Sequence, residues 1–189
     1  MYSLPLLEAT CSRFVHYTTP QWGIMNIYEF AMQMEKDGEN YYRHLAEEST
    51  IPGLGKIFTM LANEEVKHFN IIEEINRKEQ NPQLAETKIL DNVKNIFVAM
   101  KEAKEDLHID STKASSEYRK ACAIEEKSNA FYLEQAELVD NEQSRKIFLR
   151  LAKEEANHLR IMENIVEFVT RPEPGNWLEN AEWHHLNEY

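Results

Sequence analysis

Two Glu-x-x-His pairs lie on the apolar stripes of two helical segments, as Glu65-Val-Lys-His68 and Glu155-Ala-Asn-His158. In the first segment Phe58, Leu61, Glu65, His68, Ile72 and Ile75 follow one another at intervals of 3, 4, 3, 4 and 3. In the second, Phe148, Leu151, Glu155, His158, Met162 and Ile165 repeat the series. This is the core-facing seam of an amphipathic helix, with a carboxylate and an imidazole where Leu or Ile belongs. About thirty residues upstream of each pair a single Glu repeats the anomaly. Glu35 stands between Ala31 and Gly38, and Glu125 between Ala121 and Ser128, so small residues leave room around each carboxylate. A charge on a buried stripe is costly unless it is paired or bound to a metal. Four carboxylates with two neutral imidazoles balance two divalent cations. Such an oxygen-rich set suits iron or manganese rather than copper, and closed structural zinc sites favour Cys/His tetrahedra.

The two sets are copies of each other. Tyr28–Ile75 aligns with Tyr118–Ile165 without a gap, and 17 of the 48 paired positions are identical. The identities gather in KIFxxLAxEExxHxxIxExI, at Lys56–Ile75 and Lys146–Ile165, and at Glu35 and Glu125. Exposed positions have diverged, as in Arg43 against Leu133 and Lys67 against Asn157. What the copies keep is an apolar frame carrying two carboxylates and one imidazole. Within each Glu-Glu pair, Glu64 and Glu154 also fall on a 3/4 pattern with Leu61 and His68 or their counterparts. Helix geometry alone leaves both members open as ligands.

This arrangement resembles the ferritin-like superfamily, in which two helices each give a Glu and two others each give Glu-x-x-His. Within it the chain is most similar to the rubrerythrin-like branch, on Glu35, Glu65, His68, Glu125, Glu155 and His158, with Tyr42 and Tyr132 each seven residues after the lone Glu. The resemblance implies a di-iron site, manganese being the other candidate, with Glu65 and Glu155 as bridging carboxylates. Glu64 and Glu154 then face solvent or orient a histidine. For Tyr42 and Tyr132 two readings stand, core packing with a satisfied hydroxyl or a hydrogen bond to a ligand carboxylate. The implied activity is reduction of hydrogen peroxide or dioxygen, each iron giving one electron and an external donor such as a rubredoxin restoring both. No rubredoxin module is expected, because Cys11 and Cys122 are the only cysteines and neither belongs to a CxxC pair. One departure matters: rubrerythrins carry a further carboxylate one turn after the lone Glu of the third helix, where this chain has Ser128, and Gly38 is its equivalent in the first. The remaining six-residue set is closer to a ferroxidase centre, so iron oxidation or storage is the alternative. A bundle merely stabilised by metal is a third possibility.

The positioning elements follow from composition and periodicity. With 5 Gly and 6 Pro in 189 residues and long 3.6-period stretches, the chain reads as all-α and as one domain. A ferritin-like four-helix bundle of two tandem hairpins is expected, with helices near Asn26–Glu48, Lys56–Lys78 and Ser115–Val139, and a fourth ending near Thr170. IPGLG (Ile51–Gly55) should break the first pair, and Asp140–Gln143 the second. A 30-residue crossover with Ile89, Val93, Ile96, Phe97 and Met100 at helical spacing joins helices two and three.

A net charge of −12 argues against nucleic acid or an anionic membrane as partner. Two cysteines suggest no disulfide framework and hence the cytoplasm. Residues 1–24 read as an extension, a candidate for disorder, with neither a signal peptide nor a membrane helix. Residues 171–189 form a tail after Pro172 and Pro174. Its Trp177, Trp183 and Tyr189 are expected to dock on the bundle or on a second subunit of a homo-oligomer, a dimer being the simplest case. His184 and His185 read as surface residues rather than ligands.

Overall fold

The computed structural model describes residues 26–78, 82–103 and 111–170. Among these residues there are five helices and no strand: α1 (Ile27–Glu48), α2 (Pro52–Asn76), α3 (Ile89–Ala103), α4 (Ser111–Leu138) and α5 (Glu142–Thr170). The expectations for residues 1–24, for Cys11, and for the tail with Trp177, Trp183, His184, His185 and Tyr189 lie outside the described residues. No described helix is long and apolar enough to cross a membrane.

Helix ends follow local chemistry. Asn26 caps α1 by accepting hydrogen bonds from the Tyr28 and Glu29 amides, and Glu29 accepts from the Asn26 amide in return. Such a box satisfies amides that the first turn leaves orphaned, and a cap of this kind is worth about 1 kcal/mol. Asn141 caps α5 with its side chain alone, accepting from the Ser144 amide at 2.9 Å. The break between α1 and α2 is shorter than the sequence suggests. It spans only 49–51, and Pro52 opens α2 at the first helical position, where its missing N–H costs nothing. The glycines of PGLG therefore lie inside the helix, and close packing explains them. A Cβ on Gly53 would fall 2.2 Å from Met100 Sδ, and one on Gly55 3.4 Å from the Ala46 carbonyl oxygen. Gly53 is where the crossover helix α3 presses against α2.

Two antiparallel hairpins, α1–α2 and α4–α5, face each other. Tyr41 of α1 donates to the Glu117 carbonyl of α4, and Phe30 meets Phe131 near the opposite end, so α1 and α4 run antiparallel. His68 of α2 meets Glu154 and Glu155 of α5 while Glu65 meets His158, so these two helices are antiparallel as well. α3 lays Ile89, Val93, Phe97 and Met100 onto the bundle, with Phe97 edge-on to Phe168 at 5.8 Å. This is the ferritin-like plan expected from the repeat.

The core is divided into two apolar layers. One holds Leu54, Phe58, Leu61, Tyr118, Met162 and Phe168, and the other Ile71, Ile72, Ile75, Phe148 and Leu151. On all four bundle helices the residues between these layers are the carboxylates and imidazoles. The fold thus seals a polar slab between two apolar plugs, and each plug keeps bulk water away from one side.

Candidate metal centre

The six residues expected to act together are brought together. Glu35, Glu65, His68, Glu125, Glu155 and His158 are all buried, with both histidines at 0% exposure. Ligand atoms of Glu35, Glu65, His68 and Glu155 lie within 4.8 Å of one another, and so do those of Glu65, Glu125, Glu155 and His158. Glu65 and Glu155 belong to both groups. Two overlapping four-residue pockets sharing a pair of carboxylates form a geometry that can hold two cations side by side.

The directions of the donor atoms matter as much as their distances. His68 Nδ1 is 2.7 Å from Glu155 Oε1 and 3.4 Å from Glu35 Oε2, and His158 Nδ1 is 3.1 Å from Glu65 Oε1. None of these contacts has hydrogen-bond geometry. His68 Nδ1, His158 Nδ1, Glu65 Oε1, Glu125 Oε2 and Glu155 Oε1 are all buried without a hydrogen-bond partner among the described residues. Orphaned buried polar atoms are rare in folded proteins and need an explanation. Here five of them lie in the two overlapping groups, and a cation in each group would satisfy all five. The residues present therefore fit a dinuclear metal group.

The electrostatics carry the same message. Burial raises the Glu65, Glu125 and Glu155 carboxyls, and charge repulsion from neighbouring carboxylates pushes in the same direction. Glu35 is the exception: burial pushes it up, but contacts with His68 outweigh this and hold it low. For His68 burial opposes the charged form, and the surrounding Glu155, Glu154 and Glu35 together override it and raise the imidazole pKa. Burial and the nearby His68 hold His158 neutral. Without metal, protons must do what cations would otherwise do.

The surrounding contacts extend the sequence reading. The Tyr42 hydroxyl donates to Glu125 and the Tyr132 hydroxyl to Glu35, so each tyrosine serves the lone carboxylate of the opposite hairpin. Of the two readings left open for them, the hydrogen-bonded one describes the contact, and both rings are also fully packed. Burial raises both phenol pKa values, which keeps them as donors. Glu154 is also resolved: it accepts from His68 Nε2 at 3.1 Å, across the bundle and not on its own helix. A single-helix pattern could not reveal that contact, whereas Arg150, which binds Glu154 at 3.0 Å from four residues earlier on the same helix, lay within its reach. Glu64, expected to face solvent or orient a histidine, does neither: it is buried and turns to Lys67 at 2.7 Å.

Gly38 leaves the space that the Glu65 carboxyl occupies. A Cβ there would lie 3.3 Å from Glu65 Oε2 and 3.4 Å from its carboxyl carbon. Gly38→Ala should therefore separate two effects. Helix propensity favours alanine by about 1 kcal/mol, so the metal-free fold should melt no lower than wild type. The displaced Glu65 should weaken metal binding by about tenfold, the scale set by disturbing a ligand's support. Thermal melting beside a chelator competition measures both.

An all-helical bundle of ferritin-like plan with a buried, doubled Glu/His cluster defines the class of dinuclear carboxylate proteins. The rubrerythrin family model matches residues 26–120 and 117–174, which together cover both copies of the repeat, and the chain belongs to the rubrerythrin family. No curated protein and no solved structure matched the chain. Membership suggests a function of the di-iron oxidoreductase type, and the buried Glu/His clusters are groups that could bind metal.

Proposed function

We propose that this chain is a di-iron oxidoreductase that reduces hydrogen peroxide or dioxygen with electrons from a separate donor. The observation that best supports this reading is the convergence of five orphaned donor atoms between two shared carboxylates. Glu35, Glu65, His68 and Glu155 would hold one metal, and Glu65, Glu125, Glu155 and His158 the other. Iron bound there would supply two electrons, one from each ion, to a single small molecule. The chain's own residues would do the rest. Tyr42 and Tyr132 fix the lone carboxylates from across the bundle, and the two apolar layers keep the centre dry. The protonated carboxyls and His68 mark where protons reside when the metals leave.

Electron supply is the most distinctive consequence. The sequence has Cys11 and Cys122 as its only cysteines, and burial pushes the Cys122 thiol up to about 11, so it stays an inert thiol. A thiolate-bound iron relay needs Cys pairs that this sequence lacks. Chemically reduced, iron-loaded protein mixed with excess peroxide should thus consume one equivalent per centre and stop. Adding a rubredoxin with its reductase should restore continuous turnover. Sustained NADH-driven peroxide consumption by the purified chain alone would overturn the proposal.

A ferroxidase or iron-storing role is the second reading, favoured by the residues one turn beyond the lone Glu of each copy. Gly38 and Ser128 stand there, and at Gly38 the space beside the helix is already taken by Glu65. A further carboxylate has no place on that side. Storage would show as a cage-sized assembly holding well over two irons per chain, whereas a homodimer with two irons per chain favours the oxidoreductase.

A further inference from the structure

The internal repeat makes the two halves of the centre look equivalent, but the residues behind the histidines are not. Behind His68, Nε2 is engaged by Glu154 Oε2 at 3.1 Å, and the other oxygen of Glu154 is held by Arg150 Nε at 3.0 Å. Arg150 is itself fixed by the Ala85 carbonyl at 2.8 Å, in the segment leading to α3. Behind His158 no such chain exists among the described residues. His158 Nε2 is buried without a partner among the described residues, and so is Glu64 Oε2, although Glu64 is the counterpart of Glu154. The cause is written in the sequence. The position matching Arg150 is Met60, so Glu64 has no cation four residues before it. The position matching Asn157 is Lys67, which draws Glu64 Oε1 to itself at 2.7 Å.

A carboxylate on the outer nitrogen of a metal-binding imidazole fixes the tautomer, leaving the lone pair on the inner nitrogen, and makes the ring a stronger donor. Among the described residues, only His68 has that support. We propose that the two metal positions are unequal by construction: the His68 position binds first and more tightly, and the His158 position fills second and empties first. Glu154 is then a positioning residue acting through His68, with Arg150 holding Glu154 in place. The inference rests on the metal-binding reading of the cluster. Loss of an outer partner of this type weakens metal binding about 10–100-fold, which sets the expected spacing of the two affinities.

The test is an anaerobic titration of the full-length, metal-free chain with iron(II), read by calorimetry and by Mössbauer spectra at one and two equivalents of 57Fe. Wild type should show two binding steps separated by about 10–100-fold, and one quadrupole doublet at one equivalent that becomes two at two equivalents. Glu154→Gln should weaken the first step and bring the two together. The paired exchange Met60→Arg with Lys67→Asn should free Glu64 to engage His158 and tighten the second step, a gain that damage to the fold cannot mimic. Two equal steps in wild type would overturn the inference while leaving the metal centre intact. So would two steps that neither variant moves. Absence of any iron binding would overturn the metal centre itself and this inference with it.

Discussion

Replacing either shared carboxylate, by Glu65→Ala or Glu155→Ala, should lower the metal content of the reconstituted chain from two ions to one or fewer. Among the described residues these alone belong to both four-residue groups, so losing either one should damage both positions. Glu35→Ala or Glu125→Ala touches a single group and should spare the other ion. The shared-site variants should also make the metal-free protein more stable near neutral pH, because each removes a like charge from a cluster whose carboxyls are already forced upward by burial and by one another. Elemental analysis after anaerobic loading, beside melting of the metal-free forms, checks both halves. A Glu65→Ala protein that kept two tightly bound ions would exclude the bridging role.

Metal removal should produce the other large effect. Each ion bound at about a hundred times its dissociation constant adds about 2.7 kcal/mol to the folded state, so two add about 5 kcal/mol, or about 10–20 °C in Tm for a domain of this size. The metal-free protein should regain part of that loss on acidification. Glu65, Glu125 and Glu155, and His68 with them, have folded-state pKa values above their ordinary ranges. Their stability is therefore complete below those ordinary ranges and is lost as pH rises through the raised values. His158 works in the opposite sense: held low, it disfavours the fold as pH falls through the ordinary imidazole range. Glu35, also held low, matters only at more acidic pH. Four groups against one give a metal-free Tm that rises from pH 7 toward about pH 5, while the metal-loaded form should lose metal, and with it stability, over the same interval. Melting both forms across this range checks the crossing. Coincident curves at pH 7 would be incompatible with a buried cluster that metal stabilises.

The parts legible in the sequence were those imposed by period and repetition. Glu65, His68 and their counterparts break a 3/4 apolar seam, and a broken seam that recurs at the same heights can face only a common interior. The crossover helix was visible for the same reason, through Ile89, Val93, Phe97 and Met100. What escaped the sequence was whatever depends on which helix lies opposite. PGLG reads as a break because glycine and proline usually mark one, yet Gly53 is small to admit Met100, a neighbour 47 positions away, and Pro52 starts a helix. α4 likewise begins at Ser111, before the expected Ser115, where no apolar seam announces it. The pairing of Glu154 with His68 and of each tyrosine with the opposite hairpin are cross-bundle contacts, invisible to the periodicity of a single helix.

Anomalous diffraction at the iron edge from crystals of the anaerobically loaded chain tests the centre most directly. Two peaks are expected about 3.5–4 Å apart, both between Glu65 and Glu155, one beside His68 Nδ1 with Glu35 and one beside His158 Nδ1 with Glu125. A single peak, or iron found only on the acidic surface with the buried cluster still closed by its own protons, would contradict it.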